Sequence, residues 1–293
     1  MWRELMRDSE SLLSSQQMNL RRVSCWLGAG VLCLGAVYAF QRPFRQYPGV
    51  EYFQFQLTPD WQEKTEFVFA RLMFPPGPLN GYRGRDAEWH TGISLWTQDY
   101  PRADRHFAQA VRRLTRVHIR SVEQSVNLED GDAYDWPWLY AVQVGEWGLS
   151  DQQGQLLREY CLRGGFFMAD DLHGDAEWYE FESRMKKAFP EYPIREIEDD
   201  DPIFHTVYDV NDRYQVPGQA HLGPGYKANN GASAKGAHWR GIFDEKGRVM
   251  VAISYNSDIG DAWEYADDSW YPAKFADLAI RLGVNYILYS MTH

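Results

Sequence analysis

The sequence predicts an α/β fold: a mostly parallel sheet flanked by helices, preceded by one N-terminal transmembrane helix. Three observations carry this. From residue 66 onward, apolar runs of strand length alternate with stretches of helical periodicity. The runs "FFMA" (166–169) and "VMVAISY" (249–255) are apolar on both faces, as in a parallel sheet covered by helices. Residues 23–40 form an uncharged run of 18, just long enough to span a bilayer.

The N-terminal segments follow from charge. Arg21 and Arg22 precede the apolar run, with Arg3 and Arg7 farther upstream, while Arg42 and Arg45 follow it. The basic excess upstream predicts a short cytoplasmic N-terminus (1–22), an anchor (23–40) through the lipid bilayer and a domain on the far side. A rival reading starts at Met18 and ends in the cleavage-like triplet Val37-Tyr38-Ala39, which makes the run a signal peptide. Its length, and Tyr38 and Phe40 at its interfacial end, favour the anchor. Residues 41–64, with Pro43, Pro48, Gly49 and Pro59, read as a linker, and 65–293 as the folded domain.

The domain's elements follow in order. "EFVFARLMF" (66–74) reads as a strand stopped by "PPGP". A helix begins near Pro101, with Phe107, Ala110, Val111 and Leu114 on one stripe. "HIRSV" (118–122) and "WPWLYAVQVG" (136–145) read as strands. Ser150 and Gln153 make a capping box for a helix that Gly164-Gly165 ends. The strand "FFMA" comes next, then a helix around "DAEWYEFESRMKKAF". "RVMVAISYN" (248–256) is the last strand, and "YPAKFADLAIRLGVNYILYSM" (271–291) a closing helix.

Charge and cysteine content exclude some functions. The chain carries a net charge of −11, and residues 1–45 hold six Arg against three acids, which leaves −14 for the rest. A domain so acidic lacks the basic face that nucleic acid requires. Cys25 and Cys33 fall in the apolar run, so Cys161 alone is left to the domain and no intradomain disulfide forms. Ten of the twelve tryptophans follow residue 60; Trp136, Trp138, Trp147 and Trp178 are candidate interface residues for a membrane-protein partner.

Ligands of parallel sheets bind at the carboxyl ends of strands. Two acidic segments fall there: Asp170, Asp171 and His173 after "FFMA", and Asn256, Asp258 and Asp261, with Glu264 one turn on, after "VAISY". Neighbouring strands would bring these oxygens and the imidazole together as candidate ligands for a divalent metal: Ca²⁺, Mg²⁺, Mn²⁺ or zinc. The same residues also suit local capping, Asp171 for the helix after it and Asp258 and Asp261 for their own turn. His90, His205, His221 and His238 are scattered, and the stretch "GPGYKANNGASAKG" (223–236) lacks the phosphate-loop pattern.

The stretches "LREYCLRGGFFMADDLHG", "DDDPIFHTVYDV" followed by "QVPG", and the run from Tyr255 to His293 carry a resemblance. From about Phe67 to the C-terminus the chain resembles the bacterial family catalogued as domain of unknown function 4159. The resemblance implies a glutamine amidotransferase-like, or flavodoxin-like, superfold. In working amidotransferases the turn after the Gly-Gly strand bears a nucleophilic cysteine. Here it reads Ala169-Asp170-Asp171-Leu172-His173, with no thiol or hydroxyl, so thiolate chemistry is absent. The expectation is a non-catalytic binding or scaffold protein of the bacterial inner membrane with a periplasmic domain. It would serve as an accessory subunit of a larger membrane complex, a bioenergetic one being one candidate. The alternative is a metal-dependent hydrolase or glycan-processing enzyme in which Asp170, Asp171 and His173 are the candidate catalytic residues and, with Asp258 and Asp261, the candidate metal ligands.

Overall fold

The computed structural model describes residues 42–80, 88–222 and 236–293. The expected membrane segment lies outside these residues. Among the described residues, no helix is long and apolar enough to cross a membrane. One folded unit runs from Phe44 to His293.

Its strands are β1 (Ala70–Leu72), β2 (Gln124–Val126), β3 (Trp138–Ala141), β4 (Phe166–Leu172), β5 (Arg195–Glu196), β6 (His238–Phe243) and β7 (Val249–Tyr255). Its helices are α1 (Arg102–Leu114), α2 (Asp151–Leu162), α3 (Gly174–Ala188), α4 (Ile259–Glu264) and α5 (Ala273–Thr292). One sheet has the order β2-β1-β3-β4-β7-β6-β5. The strands from β2 to β7 in that order are parallel, and β6 and β5 add an antiparallel edge. The mostly parallel α/β sheet is therefore as the sequence predicts.

Every residue of β4 and β7 is buried, because helices cover both faces. On one face α1, α4 and α5 pack Phe107, Trp263 and Leu282 against Phe69, Trp138 and Tyr140. On the other, α2 and α3 pack Leu157, Tyr160 and Phe181 against Leu139 and Phe167. The capping box forms as expected: Ser150 Oγ accepts from Gln153 N–H, and Gln153 Oε1 accepts from Ser150 N–H. Cys161 is sealed between α2 and β7, with Sγ 3.9 Å from the Met250 carbonyl oxygen, and burial pushes its thiol up to about 12.

Several elements differ from expectation. The 66–74 run supplies only three ladder residues, and "HIRSV" a single bridge, Phe67 to Ile119. The reason is local. Arg120 folds back to donate to the Val122 and Glu123 carbonyls, and the ladder resumes only at Gln124. β6 was not foreseen. It forms a hairpin with β7 around a polar turn in which the Asp244 carboxylate accepts from Lys246 and Arg248 N–H.

Residues 44–64 are not a free linker: they form a strap across the domain. Tyr47 N–H donates to the Tyr100 hydroxyl, Val50 N–H to Thr97 Oγ1, and Arg105 to the Gln56 carbonyl. Prolines keep the strap out of regular structure, and several of its backbone groups find partners in the domain instead.

The tryptophan platform also needs correction. Trp136, Trp138 and Trp147 are buried, at 4%, 0% and 0% exposure. Trp147 stacks on Phe167 and Phe181, and Trp138 on Phe166. A sheet covered on both faces turns its aromatics inward, so these three offer no surface to a partner. Trp178 is half-buried against Tyr255, with the Arg240 guanidinium 4.2 Å above its ring. Trp147→Ala is expected to destabilise the domain by ~3–5 kcal/mol through the cavity it leaves. Chemical denaturation measures this, and a loss under ~1 kcal/mol would remove Trp147 from the core.

Candidate functional site

β4 and β7 are direct neighbours, so the two acidic segments meet at their carboxyl ends. What places the side chains is a bulge. Ala169 pairs with Ile253 but Leu172 with Tyr255, so β4 carries one extra residue. Asp171 takes it up in a left-handed conformation, φ 52°. Asn256 (φ 60°) and Asp99 (φ 60°), also at this end of the sheet, share that region. Non-glycine residues in such conformations concentrate where a fold is held in strain for function.

Asp170 continues the Phe166–Met168 row onto the α4 face. Its Oδ2 accepts from the Tyr140 hydroxyl (3.0 Å) and from Ile259 (3.0 Å) and Gly260 (2.8 Å) N–H, while Oδ1 has no partner and the residue is fully buried. Asp170 therefore anchors the start of α4 from a neighbouring element. Asp258 is the N-cap of α4, with Oδ1 accepting from Asp261 N–H. The expected capping role is real for Asp258 but not for Asp171. Asp171 Oδ1 lies 2.8 Å from His173 Nε2, and Asn256 Oδ1 instead takes the Gly174 N–H at the start of α3. Asp261 Oδ2 accepts from Gln219 N–H at 2.5 Å. Gly218 is required here, since a Cβ would lie 2.1 Å from Asp258 Oδ2.

Two residues outside the expected set, Asp99 and Glu51, join them, together with Glu264. Asp99 sits in the loop before α1. Arg71 of β1, paired with Asp104, donates to the Trp96 and Gln98 carbonyls and fixes that loop. Glu51 of the strap accepts from Asp99 N–H at 3.1 Å and from Gln98 Nε2 at 2.5 Å. Glu264, on α4, accepts from the Tyr52 hydroxyl.

These side chains form three linked triads: Asp171, His173 and Asp258; Asp99, Asp258 and Asp261; and Glu51, Asp99 and Glu264. Within each, one ligand atom per residue lies within 4.8 Å of the others. Oxygens around one Ca²⁺ or Mn²⁺-sized ion are spaced in this way. Asp170 is not in a triad; its sequence-assigned place among the ligands passes to the helix start it anchors.

Charge makes the cluster costly by itself. Among the described residues, no Lys or Arg pairs with Asp99, Asp170, Asp171, Asp258, Asp261 or Glu264. Two like charges 4.8 Å apart repel by about 3 kcal/mol at an effective dielectric constant of about 20. Burial, reinforced by Asp171, raises Asp170 to about 7. Burial and Asp171 likewise raise Asp261 to about 6, and burial with Glu51 raises Glu264 to about 8. Burial raises Asp99 and Asp258 well above the carboxylate range, with Asp261 adding to Asp99 and Asp171 to Asp258. Burial alone would lower His173, but the Asp171 carboxylate outweighs it and raises it. The cluster thus needs protons or a cation.

The family profile described as Domain of unknown function (DUF4159) matches residues 87–291. The chain belongs to the DUF4159 family. None of the curated proteins compared with it matches. The DUF4159 match covers Asp99, the bulge of β4 and all of α4, so most of the cluster lies inside the family region. Glu51 lies before it.

The other histidines stay apart. His90 stacks on Trp89, His205 lies 3.0 Å from Asp209, and His238 lies 3.1 Å from Glu196. The side chain of His221 and residues 223–235 lie outside the described residues.

The raised carboxylates set a direction for pH dependence. Their folded pKa exceeds the unfolded value of ~4, so the folded state holds protons that the unfolded chain has released. This contribution is complete below pH ~4 and is lost as pH rises through about 6 to about 8. With EDTA present, Tm is expected to fall between pH 5 and pH 8, by ~2–4 °C for each kcal/mol lost. Differential scanning calorimetry checks this, and a Tm that rises across the interval contradicts it.

Proposed function

We propose that the domain is a divalent-cation-dependent hydrolase, tethered to the membrane by residues 23–40 with its site outside the cytoplasm. The observation that carries the reading is the buried meeting of Asp171, His173 and Asp258 from two adjacent strands. The donor set is mixed nitrogen and oxygen, which suits Mn²⁺ or Zn²⁺. A cation held there would lower the pKa of bound water and so supply a nucleophile without a thiol. Asp171, His173 and Asp258 would hold the cation, and Asp261, raised to about 6 and beside Asp258, would accept a proton. Asp170 and Tyr140 position α4 and take no part in the chemistry. Three left-handed, non-glycine residues at one end of the sheet, Asp99, Asp171 and Asn256, support a reactive site over a purely structural one.

The parallel sheet with helices on both faces supports an amidotransferase-like superfold. On that reading Asp171 stands at the strand-end turn where a nucleophile would sit. The scaffold reading, which also draws on the missing nucleophile and the apolar N-terminal run, loses one of its supports with the burial of Trp136, Trp138 and Trp147. The membrane tether is supported by the apolar run and its arginine flanks.

Detergent-purified full-length protein is expected to retain Mn²⁺ or Zn²⁺ by elemental analysis. Asp171→Asn and His173→Ala should each weaken binding by ~10–100-fold and abolish cation-dependent turnover of chromogenic phosphoester, ester and glycoside panels. Absence of both ions, with none rebound after dialysis, would sink the reading. A bound ion without turnover of any panel would reduce it to a binding protein.

A further inference from the structure

The outer triad has chemistry of its own. Glu51, Asp99 and Glu264 offer only carboxylate oxygens, and they share no residue with Asp171, His173 and Asp258. They come from three separate places: the strap, the loop before α1, and the last residue of α4. Two of them carry an independent mark of a missing partner. Asp99 is 1% exposed and its Oδ2 has no hydrogen bond; Glu264 is 0% exposed and its Oε2 has none. A buried carboxylate oxygen left bare is costly, and native folds rarely tolerate one without a ligand. Glu51 is exposed, so the triad is open to solvent at one edge and an ion has a way in. The nearest guanidiniums are engaged elsewhere: Arg71 with Asp104, and Arg102 with Asp267 and Asp268.

We propose that Glu51, Asp99 and Glu264 form a second divalent-cation site, selective for a hard ion such as Ca²⁺, which fastens the strap to the domain. An all-oxygen set with flexible carboxylates suits Ca²⁺ over Zn²⁺. The ion joins the two sides of a contact that otherwise rests on a few hydrogen bonds, among them Asp99 N–H to Glu51 and the Tyr52 hydroxyl to Glu264. Since Asp99 also belongs to the middle triad with Asp258 and Asp261, a seated strap bears on the inner site through one carboxylate. The strap thereby becomes an ion-dependent part of the site's wall.

The test uses EDTA-treated full-length protein in detergent, with Ca²⁺ alone as the probe. Calorimetric titration is expected to show a Ca²⁺ site that Glu51→Gln and Glu264→Gln each weaken by ~10–100-fold. Mn²⁺ should still bind at Asp171, His173 and Asp258 in both variants, with a smaller change than at the Ca²⁺ site. Glu51→Gln lies at an exposed position, so it tests the site even if Glu264→Gln fails to fold. Hydrogen exchange at the Val50 and Asp99 amides should slow several-fold on adding Ca²⁺. No Ca²⁺ binding, binding indifferent to both substitutions, or exchange unchanged by Ca²⁺ overturns the proposal. Loss of Mn²⁺ binding in Asp171→Asn with Ca²⁺ binding intact supports two separate sites, whereas failure of the inner site alone leaves the outer one standing.

Discussion

One oxygen atom, Asp170 Oδ2, ties together elements that the chain separates widely. It receives the Tyr140 hydroxyl from β3 and two backbone N–H groups from the start of α4, all in a fully buried position. α4 is only six residues long and has little stability of its own. It is held by this acceptor, by the Asp258 cap and by the Phe107–Trp263 stack, with rings 4.1 Å apart. Tyr140 donates here, and burial, with Asp170 beside it, pushes its hydroxyl well above the usual range. The direction of α4 then follows, and with it the positions of Asp261 and Glu264.

The bulge in β4 completes the arrangement. Without the extra residue, side chains would alternate regularly past Ala169. With it, Asp170 still follows the Phe166–Met168 row onto the α4 face, but beyond it Asp171 turns toward His173 and Leu172 joins the opposite core. Two adjacent carboxylates thus serve unlike ends, one holding structure and the other lining the site. The repulsion that results is local and concentrated, while the cores on the two faces of the sheet stay apolar, with Trp138 and Trp263 fully buried in one and Trp147 in the other.

Much of this was legible in the sequence. Runs apolar on both faces identified β4 and β7, and acids directly after such runs identified Asp170, Asp171, His173, Asp258 and Asp261. That β4 and β7 are neighbours could only be assumed, because pairing depends on crossovers that leave no local mark. Asp99 and Glu51 were illegible for another reason. Each lies in irregular chain, with no periodicity to say which way the side chain points, and proline content made residues 44–64 resemble a linker. Tryptophan count gave the amount of aromatic area but not its direction. In a sheet covered on both faces, inward was the answer for Trp136, Trp138 and Trp147. β6 was missed because Gly241 interrupts its pattern; a Cβ there would approach the Val251 carbonyl oxygen to 3.0 Å.

The sealed cysteine has its own consequence. Cys161 is the one thiol among the described residues, and it is buried and held protonated. Among the described residues, oxidants therefore meet no accessible thiol, and no thiolate belongs to the carboxylate cluster. Its ligand set among the described residues is built without a thiol, so it does not change with the thiol–disulfide balance of the surroundings.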